Sequence, residues 1–186
     1  TGSPVLPTTP DCYNIRAQYV LAADCGATLA GATGTGDCGI SNTVNVVIYP
    51  QAPTISAPAN TCNSAFALPV VAAVPSFTVE YSIDGGTFAP APVVPNTAGC
   101  HTVAVRYALT ADCGADPENV IDAGSAGSGA CATSNVVSVV IFPAAPTLTQ
   151  PASTCNAMFI LPAVTPVPGF TVEYELNGSG SWEANP

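Results

Sequence analysis

The chain repeats itself. Val46-Val47-Ile48-Tyr49-Pro50-Gln51-Ala52-Pro53-Thr54 returns 93 positions later as Val139-Val140-Ile141-Phe142-Pro143-Ala144-Ala145-Pro146-Thr147. Thr61-Cys62-Asn63 returns as Thr154-Cys155-Asn156, and Phe77-Thr78-Val79-Glu80-Tyr81 as Phe170-Thr171-Val172-Glu173-Tyr174, at the same offset. An earlier stretch repeats at offset 88, where Asp24-Cys25-Gly26 reappears as Asp112-Cys113-Gly114 and Cys12 as Cys100. Five additional residues between Cys113 and Cys131 reconcile the two offsets. A long fixed period marks a modular array and constrains the fold more than any local motif.

The termini fall in mid-repeat. Pro4-Val5-Leu6-Pro7 matches Pro92-Val93-Val94-Pro95, and Trp182 to Pro186 matches Phe88 to Pro92. This phasing predicts either a segment two periods long from a longer array, or a subunit whose two half-modules are completed by its neighbours. The expected boundaries are 1–50 for the second half of one module, 51–143 for a complete module and 144–186 for the first half of the next.

Strand signals dominate. Phe77, Val79, Tyr81 and Ile83 alternate with Thr78, Glu80 and Ser82, so the first set is expected inward and the second toward water. Asp84-Gly85-Gly86 then supplies a turn. Val103, Val105, Tyr107 and Leu109 form a second inward set, with Ile15, Ala17, Tyr19 and Leu21 as its first-copy partner. Val137, Val139 and Ile141 share a face, and Asn45 and Ser138 mark a wet one. Nineteen prolines and sixteen glycines punctuate these runs, which fits short strands and frequent turns. The expected fold is all-β: tandem immunoglobulin-like β-sandwich modules with a repeat of about 93 residues. The predicted strands are A near 54–57, B near 65–74, C at 77–84, short D and E within 87–96, F at 100–109 and G at 134–142. The links Tyr49-Pro50-Gln51-Ala52-Pro53 and Phe142-Pro143-Ala144-Ala145-Pro146 read as stiff connections.

Eight cysteines at repeated spacing predict disulfides and an oxidising compartment. Cys113 follows F and Cys131 precedes G, so Cys113–Cys131 is the expected pair and Cys25–Cys38 its copy. Cys62 precedes B and Cys100 begins F, at the same end of a sandwich, so Cys62–Cys100 is the third expected pair. A Cys12–Cys62 bond would join equivalent ends of successive modules, far beyond the ~7 Å Cα limit. Cys12 and Cys155 are therefore expected to pair outside this segment, or with each other between neighbouring chains.

Two arginines, no lysine, one histidine and twelve acids give a net charge of −10. Nucleic acid and anionic membrane need clustered cations and are disfavoured as partners. No apolar run approaches the ~18 residues of a membrane span. His101 is the only histidine and has Tyr13 at its first-copy position, which excludes a repeated catalytic histidine. No nucleophile–base set, paired-carboxylate cleft or two-histidine metal motif can be assembled, so no enzyme activity and no cofactor are expected. Asp112, Asp116, Glu118 and Asp122 cluster near the F–G loop, but their irregular spacing fits solvation better than calcium binding. Asn177-Gly178-Ser179 fits a glycosylation sequon and also a plain turn. Tyr81, Tyr107 and Tyr174 fall on inward positions. Phe88 and Trp182 sit beside turns and are the candidate contacts for a glycan or partner.

The pattern Tyr81-Ser82-Ile83-Asp84-Gly85-Gly86 with Phe88, then Gly99-Cys100-His101-Thr102-Val103-Ala104-Val105, preceded by Thr61-Cys62-Asn63, resembles the repeat modules of giant Bacteroidota cell-surface adhesins of the SprB gliding-motility type. In the second copy Glu175-Leu176-Asn177-Gly178 replaces Ser82-Ile83-Asp84-Gly85, a departure from the pattern. The resemblance implies an exported, cell-surface β-sandwich filament or stalk. The expected partners are copies of the chain itself, in tandem or end to end, with surface glycans as a further candidate. It carries over no catalytic residue. Two other readings stand beside it: a polymerising subunit completed in trans, and a carbohydrate-binding module.

Overall fold

A computed structural model describes residues 4–22, 30–35 and 38–184. The strands are β1 (Asp11–Ile15), β2 (Val44–Ile48), β3 (Thr61–Cys62), β4 (Phe77–Ile83), β5 (Gly99–Leu109), β6 (Val137–Phe142), β7 (Glu173–Tyr174) and β8 (Glu183–Ala184). They form partial sheets: a β1–β2 pair, a four-stranded sheet ordered β3-β6-β5-β4, and a β7–β8 pair. All pairings are antiparallel except β3 with β6. The protein is all-β, as its alternating apolar pattern predicts.

The core lies on one face of the four-stranded sheet. Val103, Val105, Val139 and Ile141 are wholly buried, and Ile55 and Phe66 close over them. A second cluster joins Phe77, Tyr107, Leu109 and Cys113. After β4 the chain reverses through Asp84 (φ 52°) and Gly85 (φ 71°), and Ala89 then pairs with Tyr81.

The expected strands A, B, D and E are not strands. Their apolar side chains still reach the core: Phe66, Leu68 and Val71 from B, Ile55 from A, Val94 from E. Prolines at 58, 69, 75, 90, 92 and 95 lack the N–H a ladder needs, so these segments pack as extended coil. Ile55 instead closes its backbone on a side chain. Its N–H donates to Asn135 Oδ1 at 2.9 Å, and Asn135 Nδ2 donates to its carbonyl at 2.9 Å.

Three expectations about faces are corrected. Ser82 is buried, because its hydroxyl turns back to donate to the Gly86 carbonyl at 2.6 Å. Asn45 is half-buried, because the loop after β5 lies over it. Ile15, Ala17, Tyr19 and Leu21 are exposed. Their counterparts Val103, Tyr107 and Leu109 are covered by segments such as Phe66 and Val74, whereas no described segment covers the first-copy face.

Geometry repeats along with sequence. Cys12 faces Val47 across β1–β2, and Cys100 faces Val140 across β5–β6. The bridges Gln18–Ile40 and Val20–Thr33 return as Arg106–Thr133 and Ala108–Ala126. Tyr81 donates its hydroxyl to the Pro69 carbonyl at 3.0 Å, and Tyr174 to Pro162 at 2.8 Å.

Candidate functional site

The most elaborated region is the meeting of the first copy with the second. The loop after β5 folds back over β1 and β2 and brings Cys113 to Cys12, forming a disulfide with Cα atoms 5.6 Å apart. Beside it Asn45 Nδ2 donates to the Asn119 carbonyl at 2.7 Å. Gly114 passes so close to Asn45 that a Cβ there would overlap the side-chain amide, and its φ of +106° is itself a glycine conformation. Asn45 Oδ1 is buried and makes no hydrogen bond among the described residues. On the other flank Ser76 Oγ donates to Asp11 Oδ1 at 2.7 Å. That bond and the Cys12 N–H hold the Asp11 carboxyl below its ordinary range. The rings of Tyr49 and Phe77 meet at 5.8 Å between centroids. Cys113 is fully buried in this junction.

The disulfide corrects the expected pairing. Cys113 bonds Cys12 in place of Cys131, so Cys12 has its partner within the chain. The expectation treated the loop as closing on its own module, whereas the loop reaches across to the preceding copy. Cys131 is a half-buried free thiol lying 3.7 Å from the Tyr49 carbonyl. Cys62 and Cys100 are also free thiols and exposed, so the expected Cys62–Cys100 bond is absent. These two are separated by the intervening strand: Cys62 lies beside Phe142, and Cys100 beside Val140. Cys38 and Cys155 are free and exposed. Cys25, and with it the Cys25–Cys38 pairing, lies outside the described residues.

The other candidate residues occupy ordinary positions. Phe88 is half-buried beneath the Arg106 guanidinium, 4.5 Å above the ring centroid, and so offers no free platform. Arg106 also reaches Glu80 Oε2 through Nη2 at 2.8 Å and Nε at 2.9 Å. Trp182 is 61 % exposed and borders a hollow of about 580 Å³ shared with Phe142 and Phe170. Tyr107 donates its hydroxyl to the Ala72 carbonyl at 2.8 Å, a core role. His101 sets Nδ1 2.8 Å from Asp84 Oδ2 and Nε2 3.1 Å from the Thr97 carbonyl. These two acceptors raise its pKa.

Among the loop acids, Asp112 accepts the Ala123 N–H at 2.7 Å and Asp116 the Glu118 N–H at 3.1 Å. Among the described residues no three His, Cys, Asp or Glu side chains gather as a metal site, and no helix is long and apolar enough to cross a membrane. Asn177 (φ 60°) and Gly178 (φ 63°) make a turn matching Asp84-Gly85.

Sequence reasoning missed the Asn45–Gly114 contact and the Arg106–Phe88 stack. The repeated Asp-Cys-Gly triplet carried a signal for the first, since glycine after cysteine in both copies marks a close backbone approach. Fold and site together define an all-β protein whose described disulfide bridges successive copies of a sequence repeat. Compared with known proteins, the chain matches no family model, no curated protein and no solved structure.

Proposed function

We propose that this chain is a structural and adhesive repeat segment of an extracellular filament or stalk projecting from a bacterial cell surface. In this reading its units are tandem immunoglobulin-like β-sandwich modules with boundaries at 1–50, 51–143 and 144–186. The observation that carries the reading is the Cys12–Cys113 bond, which crosses from one sequence copy to the next. A covalent tie between copies limits separation under load, which a stalk needs and a free-standing binding domain does not. Prolines in the links Tyr49–Pro53 and Phe142–Pro146 stiffen the connection. Disulfide chemistry fits an exported protein. The scarcity of basic residues leaves trypsin-like proteases only Arg16 and Arg106.

The test is immunogold labelling of intact producing cells, with electron microscopy of released material. Label along thin surface filaments is expected. Label confined to the cell interior, or compact particles of one segment each, would sink the reading.

The exposed Trp182 keeps a second reading, a carbohydrate-binding module, in view. Glycan binding lost in Trp182→Ala would favour it over the stalk.

A further inference from the structure

We propose that the peptide bond between Asp116 and Pro117 is a self-cleaving site, at which the Asp116 carboxylate severs its own chain in mild acid. Water is the co-reactant. The proposal goes beyond the stalk reading and stands whether or not that reading holds.

The first argument is the repeat itself. In the first copy Gly26-Ala27 runs directly into Thr28-Leu29-Ala30-Gly31. In the second, Gly114-Ala115 reaches Ile121-Asp122-Ala123-Gly124 only after Asp116-Pro117-Glu118-Asn119-Val120. Both copies resume the same backbone course beyond this point. Gly31 (φ 91°) donates its N–H to the Leu21 carbonyl at 2.9 Å, and Gly124 (φ 83°) donates to the Leu109 carbonyl at 2.8 Å. The five added residues are therefore not needed to close the module's turn, and they carry the chain's one Asp-Pro pair.

The second argument is the turn that holds the bond. Asn119 donates its N–H to the Asp116 carbonyl at 3.0 Å, so the oxygen of the scissile bond already accepts a hydrogen bond. That bond favours the charge that gathers on this oxygen when its carbon is attacked. The Glu118 N–H donates to Asp116 Oδ1 at 3.1 Å and fixes the carboxylate within the same turn. The turn is anchored at both ends. Asn45 Nδ2 donates to the Asn119 carbonyl at 2.7 Å, and Cys113 and Ile121 exchange backbone hydrogen bonds at 2.8 and 3.1 Å. Nucleophile and carbonyl belong to one residue in a fixed geometry, which replaces a bimolecular encounter by an intramolecular one. Asp116 and Pro117 are both exposed, so water and protons reach them.

The chemistry balances with water alone. A carboxylate oxygen of Asp116 attacks its own main-chain carbonyl carbon and closes a cyclic anhydride of the succinic type. The C–N bond to Pro117 breaks, and its electron pair stays on nitrogen, which takes a solvent proton and leaves as a secondary amine. Proline suits this departure because its nitrogen sits in a tertiary amide and is the most basic of the backbone amide nitrogens. Water then opens the anhydride to two carboxyl groups on Asp116. The carboxylate must be ionised and a proton must be at hand, so the rate should be greatest at about pH 4–5. The cut falls between β5 and β6. Cys12 and Cys113 both stay with the first fragment, and among the described residues no disulfide spans the break. The second fragment is then held through β6, which pairs with β3 on one side and β5 on the other. In the array reading the site is a release point, since everything after residue 116 is retained by strand pairing and packing alone.

The test incubates the purified 186-residue chain with protease inhibitors from about pH 3 to pH 7 and follows it by intact-mass spectrometry. Expected are fragments 1–116 and 117–186, whose masses sum to that of the chain plus one water, with Pro117 as the new N-terminal residue. They should appear with first-order kinetics independent of protein concentration. At neutral pH they should elute together in size exclusion, and in denaturant they should separate without reductant. Asp116→Asn keeps an acceptor for the Glu118 N–H but loses the acid nucleophile, and should slow the cut roughly tenfold or more. Unfolding the unaltered chain in urea at the same pH should slow it by a similar factor, because the hydrogen bond to the scissile carbonyl is lost. An equal rate in urea would overturn the proposal, since it would reduce the site to the ordinary acid lability of any Asp–Pro bond. A chain that stays intact across the range, or is cut at another bond, would overturn it as well.

Discussion

Cys12 and Cys113 are joined across a sequence separation of 101, from the β1–β2 pair of the first copy to the loop that follows β5 in the second. A cross-link closing so long a loop removes unfolded-state entropy worth about 4–5 kcal/mol in the chain-entropy model, with about 2–4 kcal/mol typically realised. Because the bond ties two sheets together, its loss should fall unevenly. In Cys12→Ser with Cys113→Ser, hydrogen exchange should quicken at Asp11–Ile15 and Val44–Ile48, while Val103 and Val105 keep their protection. Equal loss of protection in both sheets would show that the bond supports one cooperative unit instead.

Gly114 and Gly85 both take positive φ, +106° and +71°, but only Gly114 faces atoms a Cβ would strike. Gly85→Ala should therefore cost about 1 kcal/mol, the price of backbone strain alone. Gly114→Ala adds overlap with the Asn45 amide and should cost roughly 2–4 kcal/mol, judged by strain plus a disrupted buried contact. Equilibrium urea unfolding of the two variants decides it. Similar midpoints would mean that the loop shifts away from β2 at little cost.

Much of this was legible beforehand. Strands β4, β5 and β6 follow from strict alternation, since Val103, Val105, Val139 and Ile141 are apolar where the pleat turns inward. The proline-rich segments misled because their apolar residues reach the core, yet their missing N–H groups leave no ladder. The cysteine pairing was not readable from one copy. Whether Cys113 closes on its own module or on the preceding one depends on the direction the loop takes, and local sequence does not encode it. Phe88 read as a free aromatic because Arg106, its cover, is 18 residues away on the neighbouring strand.

His101 and Asp84 should make stability depend on pH within a defined window. Hydrogen bonds to Asp84 and to the Thr97 carbonyl raise the His101 pKa above its ordinary value of about 6.5. A raised folded pKa means the contribution is fully present below the unfolded value and fades as pH rises through the folded one. For Asp84, burial pushes the carboxyl upward, but the bonds from His101 and the Thr102 N–H prevail and the net pKa is lowered. Its contribution is present above the unfolded value of about 3.9 and fades as pH falls through the folded one. The pair should therefore stabilise most between about pH 4 and 6.5. Asp84→Asn keeps an acceptor for Thr102 and should flatten the thermal midpoint across pH 5 to 8, about the range where histidine titrates. An unchanged profile, or a His101 NMR titration at or below its ordinary pKa, would contradict this.

Arg106 holds Glu80 across the β4–β5 pair and lies over Phe88, so the three side chains form one surface unit. The ion pair is partly solvated, with Arg106 28 % and Glu80 14 % exposed, and contributes roughly 0.5–1 kcal/mol after screening. The guanidinium over the ring adds about 0.5–1 kcal/mol. Lysine keeps the charge but loses the two-nitrogen grip and the flat stack. Arg106→Lys should then cost roughly 1–1.5 kcal/mol, and a double-mutant cycle with Phe88→Ala should return a coupling of about 0.5–1 kcal/mol. A coupling of zero would free the Phe88 ring from Arg106 and make it available to a ligand. A clear coupling, measured by chemical unfolding of the four variants, fixes Phe88 as a structural residue and leaves Trp182 as the exposed one of the two turn-side aromatics, Phe88 and Trp182.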